Sequence, residues 1–209
     1  MFEAKNWINN INLNIMSIVR FYSGTVKFAL GWLDGIDKTV RQHLTQQGML
    51  MKRGMATSSL YTSPDDTGLG LKSCVGVYLL ELVRLLLQYK WGTIFRQELF
   101  WRMEEATKRN SKGVWLHEIE KVLKRFDSSL EWLMERIDHR EKEIDRISLD
   151  DQMEEREKNQ MIRSKRMKCI AGVFEEVEVL IDTHFSNDSR RPSPLRFLSK
   201  FLRTKLQLK

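Results

Sequence analysis

The sequence predicts an all-α fold: a helical bundle, then a long helical hairpin, then a short basic tail helix. Three observations carry that prediction. Apolar residues recur every three or four positions through most of the 209 residues, the spacing of a helix with one buried face. No segment alternates apolar and polar residues with the period of two that a half-buried strand needs. Only 3 Pro and 11 Gly interrupt the chain, and the loop and linker segments are where such residues punctuate it.

The first helix is expected over residues 7–28, with Trp7, Ile8, Ile11, Ile15, Ile18, Val19, Tyr22 and Val26 at the apolar positions. Residues 1–21 already read as the middle of an amphipathic helix, so the expectation is a chain cut from something larger. A second helix over 32–46 carries Leu33, Ile36, Val40 and Leu44 and ends before Gly48. From Met49 to Leu71 the periodicity fails. Gly54, Pro64, Gly68 and Gly70 punctuate a stretch dense in Ser and Thr, which marks a loop.

Ser73 is the expected cap of the next helix, which is read as running through to Asn110. Val75, Tyr78, Leu79, Leu82, Leu85, Leu86 and Tyr89 give it a wide apolar face, so most of it is expected to be buried. A further long helix starts near Val114. Leu116, Ile119, Leu123, Phe126, Leu130, Leu133, Ile137, Ile144 and Ile147 make a heptad-like seam that only Arg140 breaks.

Residues 138–168 are about half charged and read as an exposed helix. The apolar segment "CIAGVFEEVEVLIDTHF" closes the body. It lies near enough in sequence that a hairpin with the seam is preferred to a dimeric coiled coil. "NDSRRPSP" then forms a linker. The expected regions are 1–110, 111–186 and 187–209.

Composition bounds the function. With 42% hydrophobic and 30% charged residues the chain reads as globular. No apolar run reaches the roughly 18 residues of a membrane span; Glu81 and Arg84 break the longest candidate, Val75 to Leu87. No signal-peptide pattern opens the chain. Cys74 and Cys169 stand far apart with no zinc spacing, which fits a reducing, intracellular compartment, cytoplasmic or nuclear. His43, His117, His139 and His184 are scattered without motif spacing, so no metal site and no cofactor are expected. Trp91, Trp101, Trp115 and Trp132 read as packing residues rather than base-stacking platforms.

The net charge of +7 is concentrated in the tail. Arg190, Arg191, Arg196, Lys200, Arg203, Lys205 and Lys209 fall after Ser189 with no acidic residue among them. Taking these seven from the 35 basic residues leaves the body balanced against its 28 acidic ones. Leu195, Leu198, Leu202 and Leu206 give the tail the pattern of a basic amphipathic helix. Such a helix suits RNA, an anionic membrane surface, an acidic protein groove, or docking on its own body.

The stretch "LYTSPDDTGLGL", Leu60 to Leu71, holds the most suggestive chemistry. Asp65 and Asp66 resemble a polymerase carboxylate pair, yet Pro64 precedes them and would damage the hairpin such a pair needs. No upstream carboxylate completes a two-metal site. Gly68-Leu69-Gly70 lacks the third Gly, the preceding strand and the Lys-Ser or Lys-Thr of a phosphate loop. No residue is therefore assigned to catalysis. Pro64, Gly68 and Gly70 are read as a structural turn, with glycine supplying positive φ.

The same residues carry a resemblance. Arg20 and Tyr22, then "LDGIDKTVRQHLTQQG" with Ile36, Asp37, Lys38, Thr39 and Arg41, then Leu60, Tyr61 and the run Gly68 to Leu71 follow one another in order. Together they resemble the thumb region of non-LTR (LINE-type) retrotransposon reverse transcriptases over roughly residues 10–90. The match departs from the family at Thr62 and Ser63, where Pro-Arg is frequent, and at Thr67-Gly68, where Gly-Gly is frequent.

The resemblance implies a helical thumb that grips RNA or an RNA–DNA duplex through its backbone. It implies fingers and palm, with the catalytic carboxylates, outside this chain, and no catalysis by this chain alone. Lys38, Arg41, Lys52, Arg53 and Lys72 flank the matching motifs and are the candidate phosphate contacts, joined by Arg196, Lys200 and Arg203 of the tail. The same cations also fit ordinary solvated surface charge. The alternative reading is a non-enzymatic interaction protein, with the heptad seam mediating assembly and the tail docking to a membrane or an acidic partner.

Overall fold

In the computed structural model of this chain, structure is described for residues 2–46, 60–61, 64, 68–92, 94–109, 115–148 and 155–186. The fold is all-α, with seven helices and no strand among the described residues. They are α1 (Phe2–Tyr22), α2 (Leu30–Gln46), α3 (Cys74–Lys90), α4 (Ile94–Lys108), α5 (Trp115–Lys124), α6 (Leu130–Ser148) and α7 (Glu155–Ser186). Among the described residues no helix is long and apolar enough to cross a membrane. The chain divides into two compact units, Met1–Tyr78 with Leu180–Lys209, and Leu79–Val179. Both α3 and α7 contribute residues to each unit.

In the first unit α1 and α2 run antiparallel, with the Trp7 ring 5.8 Å from that of His43. The face that α1 buries is Ile8, Ile11, Met16 and Val19, and Ser23 just beyond the helix is buried as well. Trp7, Ile18, Tyr22 and Val26, placed on that face from their spacing, are exposed. Three- and four-residue steps admit two faces on a helix rich in apolar residues, and packing selects one. The helix also ends at Tyr22 rather than near residue 28. The Ser23 hydroxyl folds back onto the Val19 carbonyl, and Thr25 and Val26 donate to the Tyr22 carbonyl.

On α2 the buried positions are Leu33, Asp37, Val40 and Leu44, so a carboxylate occupies the place that spacing assigns to Ile36. Tyr78 at the start of α3 meets the Phe28 ring edge-on, at 5.4 Å.

In the second unit the single helix expected from Cys74 to Asn110 is broken at Trp91–Gly92. A Cβ at Gly92 would come within 2.3 Å of the Gln88 carbonyl oxygen, so only glycine fits that turn. The expected continuous seam is broken as well. Leu116, Ile119, Leu123, Phe126, Leu133, Ile137 and Ile144 are all buried, but they lie on α5, on α6 and in the turn between.

That turn closes α5 with a Schellman pattern. Ser128 N–H donates to the Leu123 carbonyl and Asp127 N–H to that of Lys124, with Asp127 in the left-handed region at φ 54°. Ser129 then caps α6, its hydroxyl accepting from Trp132 N–H at 3.2 Å. The Glu131 carboxyl in this first turn is held below its usual range by its own backbone N–H and then by the Ser129 hydroxyl.

Within this unit α6 and α7 form the expected hairpin, antiparallel. Arg136 and Arg140 both reach Glu176, and the Cys169 thiol faces the Arg140 carbonyl at 3.8 Å. Trp91 is buried, while Trp101 is 63% exposed, contrary to its expected packing role.

Candidate functional site

Of the residues that carry the resemblance, Asp37, Arg41, Tyr61 and Gly70 lie in the first unit and are each held by hydrogen bonds, while Tyr22 is exposed on α1. Asp37 lies mid-helix on α2 with its carboxylate buried at the N-terminus of α3. Its Oδ2 accepts from the Ser73 hydroxyl at 2.7 Å and its Oδ1 from Cys74 N–H at 2.9 Å. A carboxylate there meets unpaired N–H groups and the positive end of the helix dipole, which is what lets it be buried. Ser73 is the N-cap residue, since its carbonyl accepts from Val77 N–H at 2.9 Å.

One turn beyond Asp37, Arg41 donates from Nη1 to the Tyr61 hydroxyl at 2.6 Å. Its guanidinium carbon lies 5.9 Å from the centre of the Tyr61 ring. The Tyr61 ring stacks on Phe185 at 4.4 Å. Burial, and then the nearby Asp37 charge, push the Tyr61 phenol up to about 12, against an opposing pull from Arg41. The same two causes raise the Cys74 thiol, whose sulfur lies 3.8 Å from that of Met16.

The turn is pinned from α1. Asn12 donates from Nδ2 to the Gly70 carbonyl at 2.8 Å and accepts at Oδ1 from Lys72 N–H at 3.0 Å. Leu71 N–H donates to the Leu60 carbonyl at 2.8 Å, closing the loop on itself. Gly70 has φ 70°, and a Cβ there would lie 2.9 Å from Pro64 Cδ. A left-handed backbone and a close approach thus both favour glycine at position 70. Pro64 is exposed and Gly68 half-buried.

Of the cations, Lys38 and Lys72 are exposed, and each adjoins a member of the Asp37–Ser73 hydrogen bond. They therefore sit at one end of α3, with Arg41 one turn along α2. Arg41 is half-buried and already engaged with Tyr61, so its charge is shared with a structural contact. Lys52, Arg53, Asp65 and Asp66 lie outside the described residues, as do Arg196, Lys200, Arg203 and the expected tail helix. Among the described residues no three His, Cys, Asp or Glu side chains converge as a metal site.

Sequence reading missed the part played by Asn12, which a half-buried Asn inside an amphipathic helix does not announce. It also gave Asp37 no partner. The one available signal was an acidic residue three positions before Val40, on the stripe that should be apolar. Comparison with protein families, with curated proteins and with solved structures returns no match to this chain.

Proposed function

We propose that this chain is a thumb-type helical part of a non-LTR retrotransposon RNA-directed DNA polymerase. It grips the backbone of RNA or of an RNA–DNA duplex and does not catalyse by itself. One observation supports the reading above others. The residues that carry the resemblance, Asp37, Tyr61 and Gly70, are tied into one hydrogen-bonded junction that leaves Lys38 and Lys72 exposed at its edge. Cations held on helices beside a rigid turn suit phosphates and offer little base readout. Its partners on this reading are nucleic acid and the remaining domains of the polymerase.

The test is a salt titration of a labelled RNA–DNA hybrid against the full chain and a Lys38→Gln/Lys72→Gln variant. Binding is expected to be independent of base sequence. The variant is expected to lower the salt slope by about 2, roughly one for each phosphate that is no longer neutralised. An unchanged slope in a variant with unchanged helicity rejects the role of these two lysines. Primer extension with Mg²⁺ by the purified chain is expected to yield no product, and any product overturns the non-catalytic part of the proposal.

A further inference from the structure

Beside its buried face, α1 carries a second apolar stripe that is open to solvent. Trp7, Ile18 and Phe21 are 44%, 55% and 78% exposed. Tyr22 next to them is exposed as well, its ring edge-on to that of Phe21. At about 3.6 residues per turn, Trp7, Asn14, Ile18 and Phe21 fall on one narrow stripe adjoining the buried face. From Asn6 to Val19 the helix carries no charged residue. An exposed helical surface ordinarily carries its share of Lys, Arg, Asp and Glu. A contiguous apolar stripe without them marks a contact surface.

The stripe reads the same from both ends. Trp7 and Phe21 stand seven positions on either side of Asn14, and Asn10 and Ile18 four positions on either side. A twofold axis through Asn14 therefore lays a second α1 antiparallel on the first, with each Trp7 over the other copy's Phe21 and each Ile18 beside the other copy's Asn10. The two Asn14 side chains meet on the axis. An amide carries donor and acceptor together, so it pairs with its own copy. One polar residue in the middle of an apolar helix pair fixes the register of that pair. Lys5 and Arg20 lie off the stripe by their spacing, so the pairing brings no like charges together.

The area is that of a real interface. A fully covered aromatic side chain buries roughly 150–250 Å², so at their exposures Trp7, Phe21 and Tyr22 each offer on the order of 100 Å². With Ile18 and the exposed Asn10, Asn14 and Ser17 between them, one copy offers roughly 600 Å² and a pair about 1,200 Å², the size at which specific interfaces begin. One anchor is positioned in advance, since the Trp7 ring lies 5.8 Å from that of His43 on α2.

We propose that α1 is the interface of a homodimer. The stripe of Trp7, Asn14, Ile18 and Phe21 takes a second copy of this chain, antiparallel, about a twofold axis at Asn14. The occupant is a copy rather than an unlike protein because the stripe is complementary to itself, end for end. The interface shares no residue with the Lys38–Lys72 junction and does not rest on the nucleic-acid reading, so either can fail without the other.

The experiment is sedimentation equilibrium of the full chain over a range of concentrations. A monomer–dimer equilibrium is expected, with a dissociation constant on the order of 1–10 μM, as an interface at the small end of the specific range gives. Phe21→Glu is expected to weaken the dimer about tenfold or more with helicity unchanged, since this side chain is mostly exposed in one copy. The register is read with a mild oxidant. Asn14→Cys places two thiols on the axis and is expected to give a disulfide-linked dimer, while Asn9→Cys, likewise exposed but on another side of α1, is expected to give none. Both native cysteines are buried, which keeps the background low. A chain that stays monomeric at every concentration overturns the proposal and leaves the stripe to an unlike partner. A dimer that Phe21→Glu does not weaken, or that links as readily through Asn9→Cys as through Asn14→Cys, overturns it too, because the contact then lies elsewhere.

Discussion

The Asp37 carboxylate, buried mid-helix on α2, stands 2.7 Å from the hydroxyl of Ser73, thirty-six positions away at the start of α3. A helix interior thereby caps the N-terminus of another helix. Asp37→Ala leaves the Ser73 hydroxyl and the Cys74 N–H buried without their acceptor, and a loss of about 2–4 kcal/mol is expected. Asp37→Asn keeps one acceptor oxygen but not the charge, and should lose about half as much. Urea melts of the three proteins give the order; an Asn variant weaker than the Ala variant contradicts it.

Gly70 is constrained twice, by φ 70° and by Pro64 Cδ, which stands 2.9 Å from where a Cβ would lie. Gly70→Ala is expected to destabilise the fold by about 1–2 kcal/mol, and Gly70→Val by a few kcal/mol, because β-branching worsens both constraints. Pro64→Ala removes the ring that a Cβ would strike. The double variant Pro64→Ala/Gly70→Ala should therefore recover part of the loss and leave only the backbone share. Strict additivity in the melts would assign the whole effect to backbone.

How much of this was legible in sequence follows from where each partner lies. Helices were legible because their apolar spacing is local, and the residues of the 114–147 seam are indeed mostly buried. The interruptions were not. Phe126 and Leu130 keep the three-four step running across a turn that contains neither Gly nor Pro, since Asp127 takes the left-handed position. The Gly70 turn was legible because Pro64 and glycine announce it. The Asp37 cap and the Arg140–Glu176 pair were not, because each joins residues 36 positions apart. No local pattern encodes such a pairing.

Alkaline pH tests the Tyr61 site. Burial and Asp37 raise this phenol from 10.0 to about 12. A group that keeps its proton longer in the folded state adds stability that is fully present below pH ~10, the unfolded value, and is lost as pH climbs through about 12. The linked loss is about 2–3 kcal/mol over that window. Cys74 and Lys90, both raised, act in the same direction. Tyr61→Phe separates them: the variant gives up the hydrogen bond from Arg41 at neutral pH, but its stability should fall less steeply between pH ~10 and 12. Parallel pH profiles for the two proteins would show that the Tyr61 phenol ionises alike folded and unfolded.

Lys90 offers a test of which half of a buried pair matters. Its side chain is 9% exposed and bonds Asp138 and Glu141, whose own side chains are 54% and 35% exposed. Burial alone would lower the ammonium pKa, but the two carboxylates outweigh it and raise it. The partners are therefore unequal: the carboxylates can turn to water and the ammonium cannot. Lys90→Met fills the same space with an apolar chain and frees two half-solvated carboxylates, so it should change stability by less than about 1 kcal/mol. Asp138→Asn/Glu141→Gln leaves a buried ammonium with neutral partners and should destabilise by about 3–5 kcal/mol at neutral pH. That second loss should shrink at alkaline pH, where the amine sheds its charge. Equal losses in the two variants would mean that the lysine reaches water and that the ion pairs are surface contacts of little energetic consequence.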